Sequence, residues 1–298
     1  LAVPGYFLRK AKLLPENTAG IFAVLLLYIS QPFLMMSSLL SKTFEPSMLI
    51  DFAWILLFAV LLQLLVYFAA KLFFIKEKDM AAKRACEACS YLGNVGFMGI
   101  PVMQMLFPDN PEMILYTVVY NIAFNAMTWT LGVFAVTGER KFVKPLKVIL
   151  NPPTIAVIIA LPLFFCNVAI PEQVMTPIRY LGDMTLPLSM IILGLRLADM
   201  RLISLVNDWK VYMVAFVKLI VSPLLCLGVL ILCGLFLPIG RTAVIALYII
   251  AAMPTASSAL NFAEMYGGAK ETAAAATLMN TILRIATIPI LMLLTQFV

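Results

Sequence analysis

Long apolar stretches without a charged residue constrain this chain of 298 residues more than any other feature. A helix needs about 20 mainly apolar residues to cross the hydrocarbon core of a bilayer. Seven uncharged runs are near that length or longer: 18–41, 52–70, 88–108, 113–138, 148–171, 219–240 and 242–263. Two further apolar stretches, 173–196 and 272–298, contain charged residues. A short apolar stretch before Arg9 is expected to be a first helix cut short. We therefore predict an all-α membrane protein with ten transmembrane helices, numbered here as segments 1 to 10.

The balance of residue types excludes several functional classes. Hydrophobic residues make up 63% of the chain, whereas a soluble domain is about 45–50% apolar, so the excess is expected to face lipid. No His is present, and we find no nucleophile–base pair and no cluster of metal ligands. We therefore expect no enzymatic activity, no cofactor and no metal site. Cys86 and Cys89 have the spacing of a redox pair but lie in an apolar helical context, which favours ordinary packing.

The positive charges follow a membrane topology. Most of the 21 Lys and Arg residues fall in the loops after the odd-numbered segments. Cytoplasmic loops carry this excess in membrane proteins, so we interpret the net charge of +6 as a topology signal rather than a site for nucleic acid. We expect a multi-pass protein of the cell (cytoplasmic or inner) membrane, with both ends of the complete chain outside.

The two halves of the chain resemble each other. We divide them into a first repeat at 1–138, a short cytoplasmic linker at 139–147 and a second repeat at 148–298. At one common shift, Glu112 aligns with Glu271 and Asn121 aligns with Asn280. Each repeat holds five segments, and an odd number gives the two repeats opposite orientations. The pattern predicts the inverted-repeat plan of many secondary transporters.

Segments 4 and 9 contain matched helix-breaking residues. Segment 4 has three glycines and a proline within 93–101, and segment 9 has Pro254 followed by small polar residues. Broken helices in corresponding positions of two repeats indicate a transport site, since half-helix N-termini attract anions. The alternative is simple kinking and close packing. The candidate substrate-binding residues are Asn94, Gly96, Pro101, Pro254, Ser257, Ser258 and Asn261.

Segments 5 and 10 add polar residues at matched positions. Asn121 and Asn125 lie four residues apart, as do Asn280 and Arg284, so each pair shares one helix face. We include all four as substrate candidates, although the asparagines are also explained as interhelical hydrogen bonds. Arg284 falls near mid-membrane, where it needs a partner or a wet cavity.

Two explanations of Arg284 stay open. It could clamp a substrate carboxylate through its planar guanidinium, or it could pair with Asp183 or Glu264. Those two acids are our candidates for coupling to a proton or another ion. Lys218 is expected to reach the membrane interface along its flexible stem. Glu87 is expected to begin segment 4 as a partner of the helix dipole.

Four stretches together resemble the auxin efflux carrier family. They are Gly93–Pro101 in segment 4, Met253-Pro254 through Tyr266-Gly267-Gly268 in segment 9, Leu181–Leu188 continuing to Gly194 in segment 7, and Gly5–Lys10 at the end of segment 1. That family includes plant auxin exporters and bacterial permeases for malate or malonate. The plant exporters have a long cytosolic loop between the halves, whereas this chain has only about Glu139–Lys147. The chain is therefore similar to the short prokaryotic form, which makes auxin a less favoured substrate.

The resemblance implies a scaffold of segments 1, 2, 6 and 7, and a transport domain of segments 3–5 and 8–10 that moves like an elevator. It also implies a homodimer, and a substrate carboxylate held near Asn94 and the backbone around Pro254. We expect a secondary carrier of small organic anions, with a proton or sodium as the candidate coupling ion. The alternative is a sodium-coupled symporter of the bile-acid type, which dense hydroxyl and carboxylate ligands such as Ser257, Ser258, Asn261 and Glu264 would favour.

Overall fold

The computed structural model describes residues 2–15, 17–144, 146–199, 208–266 and 268–297. Gly267 of the segment 9 motif lies outside these ranges. Regular structure in the described ranges is helical, apart from one isolated pair of bridged residues. The helices used below are α1 Ala2–Lys10, α2 Thr18–Leu40, α3 Met48–Phe73, α4 Met80–Tyr91, α5 Val95–Leu106, α6 Pro111–Thr137, α7 Pro152–Phe165, α8 Glu172–Asp199, α9 Trp209–Gly234, α10 Arg241–Ala251, α11 Ser257–Tyr266 and α12 Lys270–Leu294.

Six helices of the described chain are long and apolar enough to cross a membrane, namely α2, α3, α6, α8, α9 and α12. Helices α5, α7 and α10 are apolar but shorter. An all-helical membrane protein is therefore confirmed. The ten spans and their inverted-repeat arrangement stay predictions, because the interrupted segments 4 and 9 give pairs of short helices.

Helices α4 and α9 begin two turns or more before the apolar runs that predicted them. Helix α4 begins at Met80, where the Asp79 side chain accepts hydrogen bonds from the backbone N–H groups of Ala81 and Ala82 at 2.9 and 3.2 Å. Helix α9 begins at Trp209 behind an equivalent cap, Asp208. Such caps satisfy N–H groups that a helix start leaves free. The expectation for Glu87 is therefore wrong, since Glu87 is buried near the end of α4 and Asp79 caps its beginning.

Four π-helical turns are present in the described helices. Three lie within long helices, at Leu26–Ser30, Thr128–Gly132 and Val217–Val221, and the fourth, Val95–Gly99, begins the shorter α5. Three of the four end two residues before a proline, namely Pro32, Pro101 and Pro223. A proline removes one backbone donor and clashes with the preceding turn, so the helix widens there.

The described chain forms two compact units. Unit 1 contains Leu1–Met48, Gly96–Val118 and Leu146–Arg201, and unit 2 contains Leu49–Val95, Val119–Pro145 and Leu202–Val298. Each unit therefore takes segments from both halves of the sequence. Unit 1 thus contains α1, α2, α7 and α8, whereas unit 2 contains α3, α4, α9, α10, α11 and α12.

Close backbone contacts hold the helices of unit 1 together. A Cβ atom on Gly5 of α1 would collide with the carbonyl oxygen of Ile191 in α8. A Cβ atom on Gly182 of α8 would lie 2.9 Å from the Cα atom of Leu34 in α2. Glycine is needed at both positions because the neighbouring backbone leaves no room for a side chain.

Candidate functional site

The two broken segments meet inside unit 2. Leu92–Asn94 follow α4, and Ala252–Ala256 follow α10. Gly93 and Thr255 form an antiparallel bridge. The Asn94 N–H donates to the Pro254 carbonyl at 2.7 Å, and the Ala256 N–H donates to the Leu92 carbonyl at 2.9 Å. The two breaks thus satisfy part of each other's backbone, which non-helical backbone requires at membrane depth.

A chain of side-chain hydrogen bonds ties this crossing to α12. The Asn280 Nδ2 group donates to Thr255 Oγ1 at 2.5 Å, and Thr255 Oγ1 donates to the Cys89 carbonyl in α4 at 2.6 Å. Both Asn280 and Thr255 have 0% exposure. Asn280 therefore connects α12 to both broken segments, while its Oδ1 atom is buried without a hydrogen-bond partner in the described chain.

Arg284 lies one helical turn beyond Asn280, about 6 Å along α12. The residue is 1% exposed. Its Nε and Nη1 groups are buried and have no hydrogen-bond partner among the described residues. Glu264, one of its proposed partners, is exposed in α11 and forms no ion pair with Arg284 in the described part of unit 2. Unpaired donors of this kind are available to a carboxylate.

Lys218 is the functional candidate that the sequence interpretation missed. Lys218 is only 2% exposed, and its Nζ atom donates a hydrogen bond to the Tyr91 carbonyl at 3.2 Å. The expectation that it reaches the membrane interface is therefore wrong. The expectation placed Lys218 at the start of segment 8, because the apolar run begins at 219. Helix α9 begins earlier, at Trp209, so Lys218 lies well inside it.

The other candidates of unit 2 differ in exposure. Pro254 and Asn121 are buried, and Asn94, Asn125, Ser257 and Ser258 are half-buried. Asn261 and Glu264 are exposed on α11. The Ser258 Oγ atom is buried without a hydrogen-bond partner in the described chain. No group of three or more His, Cys, Asp or Glu residues is placed to hold a metal ion within the described ranges.

Three candidates belong to unit 1. Gly96 and Pro101 are buried in α5, and a Cβ atom on Gly96 would collide with the Gln31 Nε2 atom. The Gln31 amide therefore occupies the space that a side chain at Gly96 would take. Asp183 is exposed within α8.

The chain matches a known protein family and a related transporter. A family model described as "Membrane transport protein" matches residues 1–292. The chain is also similar to the "Uncharacterized transporter MJ1031" of Methanocaldococcus jannaschii, with 26% identity over 236 residues, which is 75% of this chain and 73% of that protein. The family match and the motifs agree over nearly the whole sequence. The chain therefore belongs to the auxin efflux carrier family of membrane transport proteins.

Proposed function

We propose that this protein is a secondary active transporter of small organic anions, such as mono- or dicarboxylates, across the cell membrane. The observation that carries the proposal is Arg284, a buried guanidinium whose Nε and Nη1 groups have no hydrogen-bond partner among the described residues. It lies one turn along α12 from Asn280, whose side chain bonds to the crossing of the broken segments. A guanidinium offers parallel donors that match the two oxygens of a carboxylate. Family membership makes transport the expected activity.

The substrate site of this proposal combines three parts of unit 2. Asn94 and the Pro254 backbone lie at the crossing, joined by the 2.7 Å hydrogen bond. Asn280 holds the crossing against α12, and Arg284 supplies positive charge on the same helix. Asn94 is half-buried, so its side chain can meet an anion that enters from the surface of the unit. The Ser258 Oγ atom lies deeper, buried without a hydrogen-bond partner in the described chain.

Ligand-induced stabilisation tests the substrate class. The melting temperature, Tm, of the purified protein is measured with acetate, malonate or malate, and with malonamide as an uncharged control of similar shape. A ligand that binds only the folded state raises Tm by mass action. We expect at least one carboxylate to raise Tm and malonamide to leave it unchanged. An equal response to malonamide, or no response to any carboxylate, would contradict the proposal.

Substitution of Arg284 separates a ligand contact from a structural ion pair. Arg284→Lys keeps the charge but loses the paired donors, so we expect a weaker Tm response to the carboxylate. Arg284→Met removes a buried cation that has no ion pair among the described residues, and we expect an unchanged or higher Tm without ligand. A structural pair predicts the opposite, a loss of about 3–5 kcal/mol, so a large fall in the Tm of Arg284→Met would refute the clamp.

We propose an elevator motion in which unit 2 is the moving part, because it holds the crossing, Asn280 and Arg284. The division of the chain into units that each draw on both sequence halves supports this motion, as does the inverted-repeat pattern of ten predicted segments.

We also propose a homodimer, on the basis of the family resemblance. The loop charges support a topology with both ends of the complete chain outside. Asp183 and Glu264 remain the proposed residues for proton or ion coupling. The mass of the purified protein–detergent complex tests the dimer.

A further inference from the structure

Two half-helices end at the crossing in unit 2, and both present carbonyl groups there. Helix α4 ends at Tyr91 and α10 ends at Ala251. The C-terminal end of a helix carries about half an elementary negative charge. Two such ends together carry about one elementary negative charge. A positive charge nearby stabilises them strongly, because burial leaves little water to screen the interaction.

Lys218 supplies one positive charge at this position. Its Nζ lies 3.2 Å from the Tyr91 carbonyl oxygen, at the end of α4. It also lies 3.3 Å from the point that a Cβ atom on Gly93 would occupy, and the Ile250 carbonyl oxygen in the last turn of α10 lies 3.9 Å from the same point. The ammonium group therefore contacts the end of α4, and it adjoins the same position at Gly93 as the last turn of α10. No carboxylate forms an ion pair with it among the described residues, so the helix ends are its counter-charge.

The surroundings of Lys218 are those of a cation site. Unwound backbone and half-helix C-terminal ends are the groups that bind coupling cations in transporters with broken helices. A cavity of about 10 Å³ adjoins Lys218, and it is lined also by Gln63, Gly93 and Ser222. That volume holds about one water-sized sphere. The Gln63 Oε1 atom is buried without a hydrogen-bond partner in the described chain.

We propose that the Lys218 ammonium occupies, as a permanent part of the protein, the place that a coupling cation takes in sodium-dependent carriers. Folding and anion binding then need no sodium ion, since the charge at the two helix ends is already balanced. This inference rests on the proposed function, because it concerns the coupling of that anion carrier. It disfavours sodium coupling at the crossing and leaves the exposed acids Asp183 and Glu264 as the candidate coupling residues.

Tm measurements on the full chain test the inference. The wild type is measured in sodium chloride and in choline chloride of equal ionic strength, with and without malonate. Lys218→Ala removes the charge and leaves space, whereas Lys218→Met removes the charge and fills the space. Lys210→Met is the matched control on the same helix, because Lys210 lies near the start of α9, with Nζ 3.8 Å from the Glu77 carboxylate.

We expect the wild type to have the same Tm and the same malonate response in both salts. Lys218→Ala and Lys218→Met should each melt at least about 5 °C lower, and Lys210→Met should change little. Methylammonium chloride should restore part of the Tm of Lys218→Ala, because the small cation fits the space, and should not restore Lys218→Met. A purely structural loss would show no such difference between the two variants.

Two results would overturn the inference. One is a wild-type Tm or malonate response that requires sodium, and the other is a folded Lys218→Ala protein that methylammonium does not stabilise. If Lys218→Ala yields no folded protein, the wild-type comparison decides the question alone, with sodium independence as the supporting result. If malonate changes Tm in neither salt, the proposed carboxylate site is contradicted. The Tm values measured without malonate still test the proposed role of the Lys218 ammonium.

Discussion

At the scale of single residues, unit 2 contains polar groups with two different roles. Asn280 and Thr255 form hydrogen bonds that join helices, whereas Arg284 has donors without a partner in the described chain. Lys218 and Arg284 are both buried basic side chains. An anion near Arg284 would pair with its guanidinium, which is consistent with the proposed substrate class.

Asn280→Ala tests the structural role of this hydrogen-bond chain. The substitution leaves buried Thr255 Oγ1 without its donor, at a cost of about 1–3 kcal/mol. We expect a Tm lower by about 2–10 °C, measured without ligand. Asn125→Ala is the matched control, since Asn125 is half-buried and should contribute little to stability. An equal, small effect of both substitutions would show that the Asn280–Thr255 hydrogen bond stabilises nothing measurable.

At the scale of helices, the two breaks differ in their local cause but are held by one shared contact. Gly93 belongs to a glycine-rich stretch, whereas Pro254 removes a backbone donor after α10. Their backbones then pair through the Gly93–Thr255 bridge. The sequence predicted both breaks correctly, because glycine and proline act on the backbone around them. It did not predict the pairing, because the two stretches are far apart in the chain.

Pro254→Ala tests whether the break in the second half serves binding. Alanine restores a backbone donor and lets α10 extend, so we expect a folded protein with a much smaller Tm response to malonate. Pro289→Ala is the matched control, because Pro289 lies within the continuous helix α12 of the same unit. A normal malonate response in Pro254→Ala would mean that the break is only a packing feature.

At the scale of the whole molecule, sequence halves and compact units divide the chain differently. The repeats predicted at 1–138 and 148–298 follow chain order, whereas each compact unit combines segments of both. Proteins built from inverted repeats commonly mix their halves in this way. The orientation of the chain in the membrane is a separate prediction that rests on loop charges.

Single-cysteine labelling tests that orientation in a background without the five native cysteines. Lys78, Lys144, Lys270 and Asp109 are all exposed, so a cysteine at each can react with a membrane-impermeant thiol reagent. We expect cysteines at the three lysine positions to react only from the cytoplasm and one at Asp109 only from outside. Labelling of the Asp109 and Lys144 positions from the same side would contradict the ten-helix topology.

The sequence by itself determined that this is a helical membrane transport protein with interrupted helices near Gly93 and Pro254. Hydropathy and backbone breaking are local properties, and a bilayer leaves a spanning apolar chain few structures besides helices. Only the tertiary structure decided that Lys218 turns inward to Tyr91, that Asn280 bonds to Thr255, and that Arg284 is buried without a described partner. The energy of a buried polar group depends on the atoms around it, and those atoms come from helices distant in the sequence.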